Sequence, residues 1–520
     1  MDALCGLCEF DKEELERRLR ENMVEECVIN EILERYPEDY RCRRPKYSES
    51  EAFCIFHAEK KPDNFWDLFR RELERMERES ESLDFSGFIF PEFKLIRGGK
   101  PFTLSKPACF VGAKFQGEAD FRDVEFQGEA DFRGASFQVA CFVNAKFQEA
   151  DFRNVRFEVA DFTSVDFREA NFIAVKFQVA YFTDAEFGIA DFRCVEFREI
   201  ADFMCAEFEV ADFASAKFHG IADFRSVEFK GIADFTSAEF EVADFRGAKF
   251  HGIADFTHCR FKRVAFFMRT VFEENVIFIA PDRNPSGLMI LATTLFNKPK
   301  YAFISGFPLS NLSFLLTDLT DVNLIPPKSP RTLSLLDERL LSKEELGEVE
   351  RRVLKLLKGS GLLSTETLVL ELRSIRKNLE ANKLYSEAGE LHIKEICYRR
   401  KLIKERGNLR DIPEYIANWF YSLLGCGESI MRPVLGMILT VVLSALYLAF
   451  KSISPQGVLQ RALENVPIMV SILFQIRSLK DFAIGIPMPE LIAVEVLVRT
   501  LALVLFGMLF IALRRKLERR

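Results

Sequence analysis

The residues best equipped for chemistry in this 520-residue chain lie near its two ends. Within the first 57 positions fall Cys5-x-x-Cys8, Cys27, Cys42 and Cys54-x-x-His57. Thiols and an imidazole at such spacings, gathered by a small fold, suit a tetrahedral zinc ion. The set we favour is Cys8, Cys42, Cys54 and His57, with Cys5 as the alternate fourth donor. Four protein donors would leave no open position, so the ion would be structural. The competing reading is ordinary thiols in a small helical cap. Near the other end, Glu495 and Arg499 sit four apart in an apolar segment. They share one helix face, where they can neutralise each other near a membrane interface or, with Gln475, line or gate a pore. No Ser/His/Asp or Cys/His set, phosphate loop or convincing pair of acids stands out, which points away from an enzyme.

Elements must position these groups, and composition bounds which. The apolar content of 48% supports two or more cores. A net charge of −8 with no basic domain gives no reason to propose a nucleic-acid partner. The 12 cysteines form no compact secreted framework, and the first twenty residues are acidic and helical in character. A reducing, intracellular setting is therefore expected for the soluble part. The chain also holds 54 phenylalanines, where about twenty would be average.

Most of that excess is periodic. From Phe110 the ring recurs at 115, 121, 126, 132, 137 and 142, and the series runs on to Phe256, Phe261, Phe266, Phe272 and Phe278. The step is five with occasional sixes, and two positions earlier sits Ala, Val or Cys, as in Ala119, Val124 and Cys259. The other three positions read as polar. A period of five fits neither a helix nor a flat strand. It fits short extended segments joined by turns, four sides to a coil of roughly 20 residues, stacked at about 4.8 Å. The triplet Ala-Asp-Phe keeps to alternate pentads through every six-residue step. The extra residues at Glu118, Glu129, Ile200, Ile221, Ile232 and Ile253 are therefore expected to be corner bulges.

This pattern resembles the pentapeptide-repeat family over roughly residues 107–278, which implies a right-handed quadrilateral β-helix. An echo at Leu309, Phe314, Leu319 and Leu324 suggests a last partial coil, and Phe85 to Phe93 a cap. Some members of the family mimic DNA. Here Lys114, Lys146, Lys176 and many arginines interleave with the acids, so the Asp ladder is expected to serve corner hydrogen bonds. The solenoid reads as a scaffold or docking surface for an unidentified protein partner. The Cys-Ile-Phe-His segment at 54–57 is also similar to a module found before some pentapeptide repeats.

Residues 332–410 change to charge and leucine at helical spacing. Beyond them Pro433 to Phe450 is an uncharged run of 18 residues, long enough to span a bilayer. Leu491 to Leu513 is a second, followed by Arg514-Arg515-Lys516. Arg432 and that terminal cluster predict an integral plasma-membrane protein with both termini cytoplasmic. Between the runs, Val466 to Ile476 is too short to cross and suits a re-entrant or interfacial helix. The segment from about Leu384 resembles the two-transmembrane, potassium-channel-pore-like domain that follows pentapeptide repeats in some microbial proteins. The likeness rests on Trp419-Phe420-Tyr421, Gly427-Glu428, Arg432-Pro433 and a last span with an early Glu and a terminal Arg pair. It implies a homo-oligomer, a tetramer by analogy. The chain departs from such pores where the selectivity filter belongs, since Gln475 to Pro487 holds no Thr-x-Gly-Tyr-Gly.

The expected architecture is multidomain. Residues 1–80 form a Cys/His-containing helical cap, 81–280 the β-helix, and 281–330 a partial coil and linker. Residues 331–412 form an amphipathic connector. Residues 413–520 form the membrane domain, with spans at about 433–450 and 491–513 and a short helix at about 462–476.

Overall fold

The computed structural model describes residues 10–22, 24, 26–36, 38, 40, 42, 44, 53–94, 102–281, 287–327, 333–342, 346–451, 457–479 and 487–518. It divides into two units, residues 1–330 with 334–362, and residues 331–333 with 363–520.

The first unit is a β-solenoid of parallel strands. Pairing runs from Leu83–Asp84, which meets residues 108–109, to Asn323–Ile325, which meets residues 303–305. One of its two sheets follows a single path of eleven strands, so the solenoid has about eleven turns. Like residues pair with like: Phe157 with Phe177, Val159 with Val179, and Ala160 with Ala180. The rings stack along the axis. Phe142 and Phe162 have centroids 4.9 Å apart at an interplanar angle of 1°, and Phe203 and Phe224 repeat those values. Each buried ring contributes about 2–3 kcal/mol by removal from water, and the alanine beside it leaves the space the ring fills.

Where the turn carries an aspartate, that residue fixes it. Asp161 Oδ1 accepts the Thr163 N–H at 3.0 Å, and Asp234 does the same for Thr236 at 2.7 Å. The next residue enters the left-handed region, with φ of +54° at Ser164 and +59° at Ser237. A short polar side chain tolerates that conformation better than a branched one. The Asp ladder therefore does serve the corners.

The six-residue steps are bulges. Register shifts fall between Phe115 and Glu118 and between Phe126 and Glu129, while Ala119 still pairs with Ala140 and Ala130 with Ala150. One phenylalanine needs correction. The ring that enters the core after Phe261 is Phe267, stacked on Phe245 at 5.0 Å, whereas Phe266 pairs with the outward Asp244. Another bulged step, 261 to 267, moved the inward position by one.

Helices α1 (Lys12–Glu21), α2 (Glu26–Glu34) and α3 (Phe65–Glu79) cover the first turns. Leu15 and Leu19 of α1 lie over Gly112 and Gly134, where a side chain would collide with Leu19. From α2, Glu31 accepts two bonds from Arg153, at 2.7 and 2.8 Å, and lies 3.4 Å from the fully buried Arg133. Helix α4 (Leu336–Ser342) packs near Leu312–Ser313, and α5 (Glu348–Gly359) follows.

The second unit is helical. Helices α6 (Thr365–Ala381) and α7 (Tyr385–Arg406) form a hairpin. Buried Glu395 of α7 is held there by Arg373 and Arg376, each at 2.9 Å. Helix α8 (Ile412–Leu423) leads to α9 (Met431–Lys451), α10 (Val458–Leu473) and α11 (Met488–Glu518). Helices α9 and α11 are long and apolar enough to cross a membrane. The three helices share one core, built from Met437, Val441 and Leu448 of α9, Met469 and Ile472 of α10, and Val498, Ala502 and Leu505 of α11.

Candidate functional site

The strongest chemical cluster in the first unit joins three of the cysteine and histidine positions singled out above. Asp11 caps α1 by accepting the Glu14 N–H at 2.9 Å, and the Cys42 N–H donates to Phe10 O at 2.9 Å, which fixes Cys42 beside that helix. Cys54 opens a turn whose carbonyl accepts the N–H groups of His57 and Ala58, and the turn is tied to the solenoid because Ile89 N–H donates to Phe56 O. As a result the Cys42 and Cys54 sulfurs lie 3.9 Å apart, and Cys54 Sγ lies 3.2 Å from His57 Nδ1. All three donor atoms are within 4.8 Å of one another, and all three residues are buried.

The donor set fits a metal ion. With Zn–S near 2.3 Å and Zn–N near 2.0 Å, a tetrahedral site has edges of about 3.3–3.8 Å, close to the separations here. His57 is already oriented, because its Nε2 meets Ser86 O at 3.0 Å and directs Nδ1 toward the sulfurs. Phe10 stacks on the imidazole at 3.9 Å and Phe88 meets it edge-on. Burial holds His57 below its ordinary pKa, which favours the neutral, ligating form. Arg44 Nη1 stands 3.7 Å from Cys42 Sγ, where a cation favours thiolate. Lys61 stands near Cys54 as well, its ammonium pushed down to about 7 by burial. Cys5 and Cys8 lie outside the described residues, as does the side chain of Cys27, so the structure brings together Cys42, Cys54 and His57.

Arg44 and the Ser86 carbonyl escaped the sequence reading. No spacing ties Arg44 to the sulfurs, and a backbone carbonyl leaves no mark in residue type.

In the second unit, Glu495 and Arg499 form an ion pair at 2.9 Å on α11. Glu495 also accepts from Ser478 Oγ at 2.8 Å and from the Leu479 N–H at 2.9 Å, and Arg499 donates to Arg477 O at 3.0 Å. Together the two side chains hold the turn that follows α10. Gln475 sits in that turn with φ of +59° and is exposed. At the far end of α11, Arg515 Nη1 meets Glu428 Oε1 at 2.6 Å and the Cys426 carbonyl at 3.3 Å. The sequence displayed both partners of that pair without relating them.

Comparison with known proteins identifies the solenoid. Residues 102–141 and 213–260 match a family model of pentapeptide repeats in nine copies, and residues 140–178 match one in eight copies. The solenoid is a pentapeptide-repeat domain. A relative from Methanocaldococcus jannaschii, an uncharacterised protein, is 29% identical over 249 residues. That alignment covers 46% of this chain and 51% of the relative, so the chain spans about half the length of the relative it matches.

Proposed function

We propose that this chain is a membrane-anchored pentapeptide-repeat protein. In this reading a two-span, ion-channel-like domain holds the solenoid on the cytoplasmic side as a docking or sensing module. The observation that carries it is the arrangement of α9, α10 and α11. A helix of 16 residues packs between two candidate spans, and Glu495 and Arg499 secure the turn that follows it. Only 33% and 28% of the two apolar windows is buried, and Leu439, Leu443, Phe450, Leu503 and Phe510 face outward. A bilayer is the natural cover for such surfaces. Basic residues at Arg432 and Arg514 to Lys516 favour cytoplasmic termini in the plasma membrane. By analogy with two-span pores, a tetramer would surround the axis. The solenoid is read as right-handed and four-sided, in keeping with its phenylalanine columns, and as non-enzymatic. The Cys42, Cys54 and His57 group is read as a structural zinc site.

A second reading is a non-conducting tethered scaffold that recruits a protein partner. It is favoured by the sequence Gln475 to Pro487, which lacks a filter motif; residues 480–486 lie outside the described residues. Recording from the purified oligomer in a planar bilayer separates the two. Unitary currents support the channel-like reading, and silence under every salt and voltage leaves the scaffold.

A further inference from the structure

The outward surface of the solenoid carries an unexpected column. Strand register places Glu129, Glu149, Glu169, Ile189 and Val210 one above another. The pairs Ala211 with Ala233, Ala233 with Ala254, Ala254 with Val276, and Val276 with Ala302 extend it through Ile232, Ile253, Asn275 and Tyr301. Ile189, Val210, Ile232 and Ile253 are 54%, 40%, 52% and 42% exposed, and Tyr301 is 54% exposed. Glycine precedes three of these isoleucines, at Gly188, Gly231 and Gly252, where a Cβ would stand 2.2–2.3 Å from a carbonyl oxygen of the previous turn. With no side chains there, the isoleucines form an open strip.

We propose that this face docks a second copy of the chain, with the two solenoids antiparallel about a two-fold axis crossing the strip between Val210 and Ile232. That axis pairs eight of the nine positions, and Glu129, held by Arg35 of its own chain at 3.1 Å, falls beyond the paired strip. Ile189 meets the second copy's Ile253, and Val210 meets its Ile232. Glu169 falls opposite Asn275 and Glu149 opposite Tyr301, so each acid faces an amide or phenol able to donate to it. On one flank Glu209 falls opposite Lys230 and Glu186 opposite Lys249. The like pair Glu207 and Glu228 is already neutralised within each chain, by Lys230 at 2.9 Å and by Lys249. On the other flank Asp212 falls opposite Asp234 and Asp191 opposite Asp255; the Oδ1 atoms of all four accept N–H groups of their own turns, and Arg193 pairs with Asp191 at 2.6 Å.

Size is adequate. The eight paired positions at about 4.8 Å per turn make a strip of roughly 34 Å, and a face about 17 Å wide gives roughly 570 Å² before side-chain relief is counted. A stable interface buries about 800 Å² per partner.

Other occupants fit less well. A parallel pair would set Glu129, Glu149 and Glu169 against their own copies. Within one chain, burial and its two glutamate neighbours already raise Glu149 above its usual range. An anionic leaflet would be repelled by Glu186, Glu207, Glu209 and Glu228. The opposite sheet also carries an apolar column, from Val139 through Ile200 and Ile221 to Val264. Val159, Val179 and Val242 in it are half-buried, and its uniform chemistry specifies no register.

The test uses the full chain in nanodiscs with paired cysteine substitutions. Residues 189 and 253 of one chain are three turns, about 14 Å, apart, beyond the ~7 Å reach of a disulfide. Ile189→Cys with Ile253→Cys should therefore give covalent dimers on mild oxidation, several-fold above wild type and above either single variant. Crosslinking by the Ile189→Cys single variant alone would show a parallel pair and overturn the proposal. No excess in the double variant would overturn it too, as would a crosslink through Ile221→Cys on the opposite sheet that matches or exceeds it.

Discussion

Glu428 Oε1 and Arg515 Nη1 lie 2.6 Å apart although 87 residues separate them, joining the loop before α9 to the last turns of α11. The carboxylate is nearly buried and the guanidinium about one-third exposed. Gly427 between Cys426 and Glu428 has φ of +72°, and a side chain there would crowd Ile511 and the Tyr421 hydroxyl. The loop is therefore shaped to receive the arginine.

Replacing Glu428 by Gln or Arg515 by Ala should each lower the thermal stability of the detergent-solubilised protein. A double-mutant cycle should return a coupling of about 1–3 kcal/mol. Arg515→Lys should recover only part of it, because a lysine ammonium does not reproduce the planar guanidinium whose Nη1 reaches both Glu428 and the Cys426 carbonyl. A coupling near zero would mean that the pair does not tie the loop to the helix.

The full chain, purified under reducing conditions, should carry one zinc ion. Cys54→Ser and His57→Ala should each remove it, as read by elemental analysis, and His57→Ala should also loosen the first turns in hydrogen exchange because Ser86 O loses its partner. A wild-type protein without metal would leave an ordinary thiol cap.

Two glycines should respond differently to alanine. At Gly220 the new Cβ would lie 1.7 Å from Glu199 O, so the bulge must rearrange. That should cost about 2–3 kcal/mol, as for other backbone clashes. At Gly247 the nearest atom is 3.6 Å away and only φ of +72° is unfavourable. The cost there should be about 1 kcal/mol. Chemical unfolding followed by far-UV circular dichroism reads the difference, and equal costs would contradict the close approach.

The contact between α2 and the solenoid should weaken in acid. Hydrogen bonds from Arg153 hold Glu31 below its ordinary value of 4.5. A depressed carboxyl pKa stabilises the fold above the unfolded value, and the gain is lost as pH falls through the lower, folded one. Protection of α2 in hydrogen exchange should thus drop below about pH 4.5 in wild type. In Glu31→Gln it should be lower at neutral pH and change less with acid. The pair is partly exposed, so about 0.5–1 kcal/mol is expected.

What the sequence revealed follows from which interactions leave a residue signature. The inward ring and its small neighbour obey a strict spacing, so the solenoid and its bulges were readable. Phe266 misled because two adjacent phenylalanines offered the same signal and only strand register selects Phe267. The thiol and imidazole cluster was readable in Cys42, Cys54 and His57, but not in Arg44 or the Ser86 carbonyl, whose placement arises from folding alone. Ile189, Val210 and Ile232 give no such signal, because each stands as a single apolar residue among polar outward positions. Their alignment appears only when turns of 20, 21 and 22 residues are set in register.

Those unequal turns have a consequence for how such a chain changes over generations. An extra residue is absorbed between an inward phenylalanine and the next alanine, and the following Ala-Asp-Phe returns to the same side. A single added residue can thus be taken up inside a strand without shifting the later turns, while duplication of a whole turn would lengthen the tower by about 4.8 Å and repeat the same neighbour contacts. The molecule behaves as a ruler whose graduations can be added or removed, and its reach is the property selection can adjust most freely.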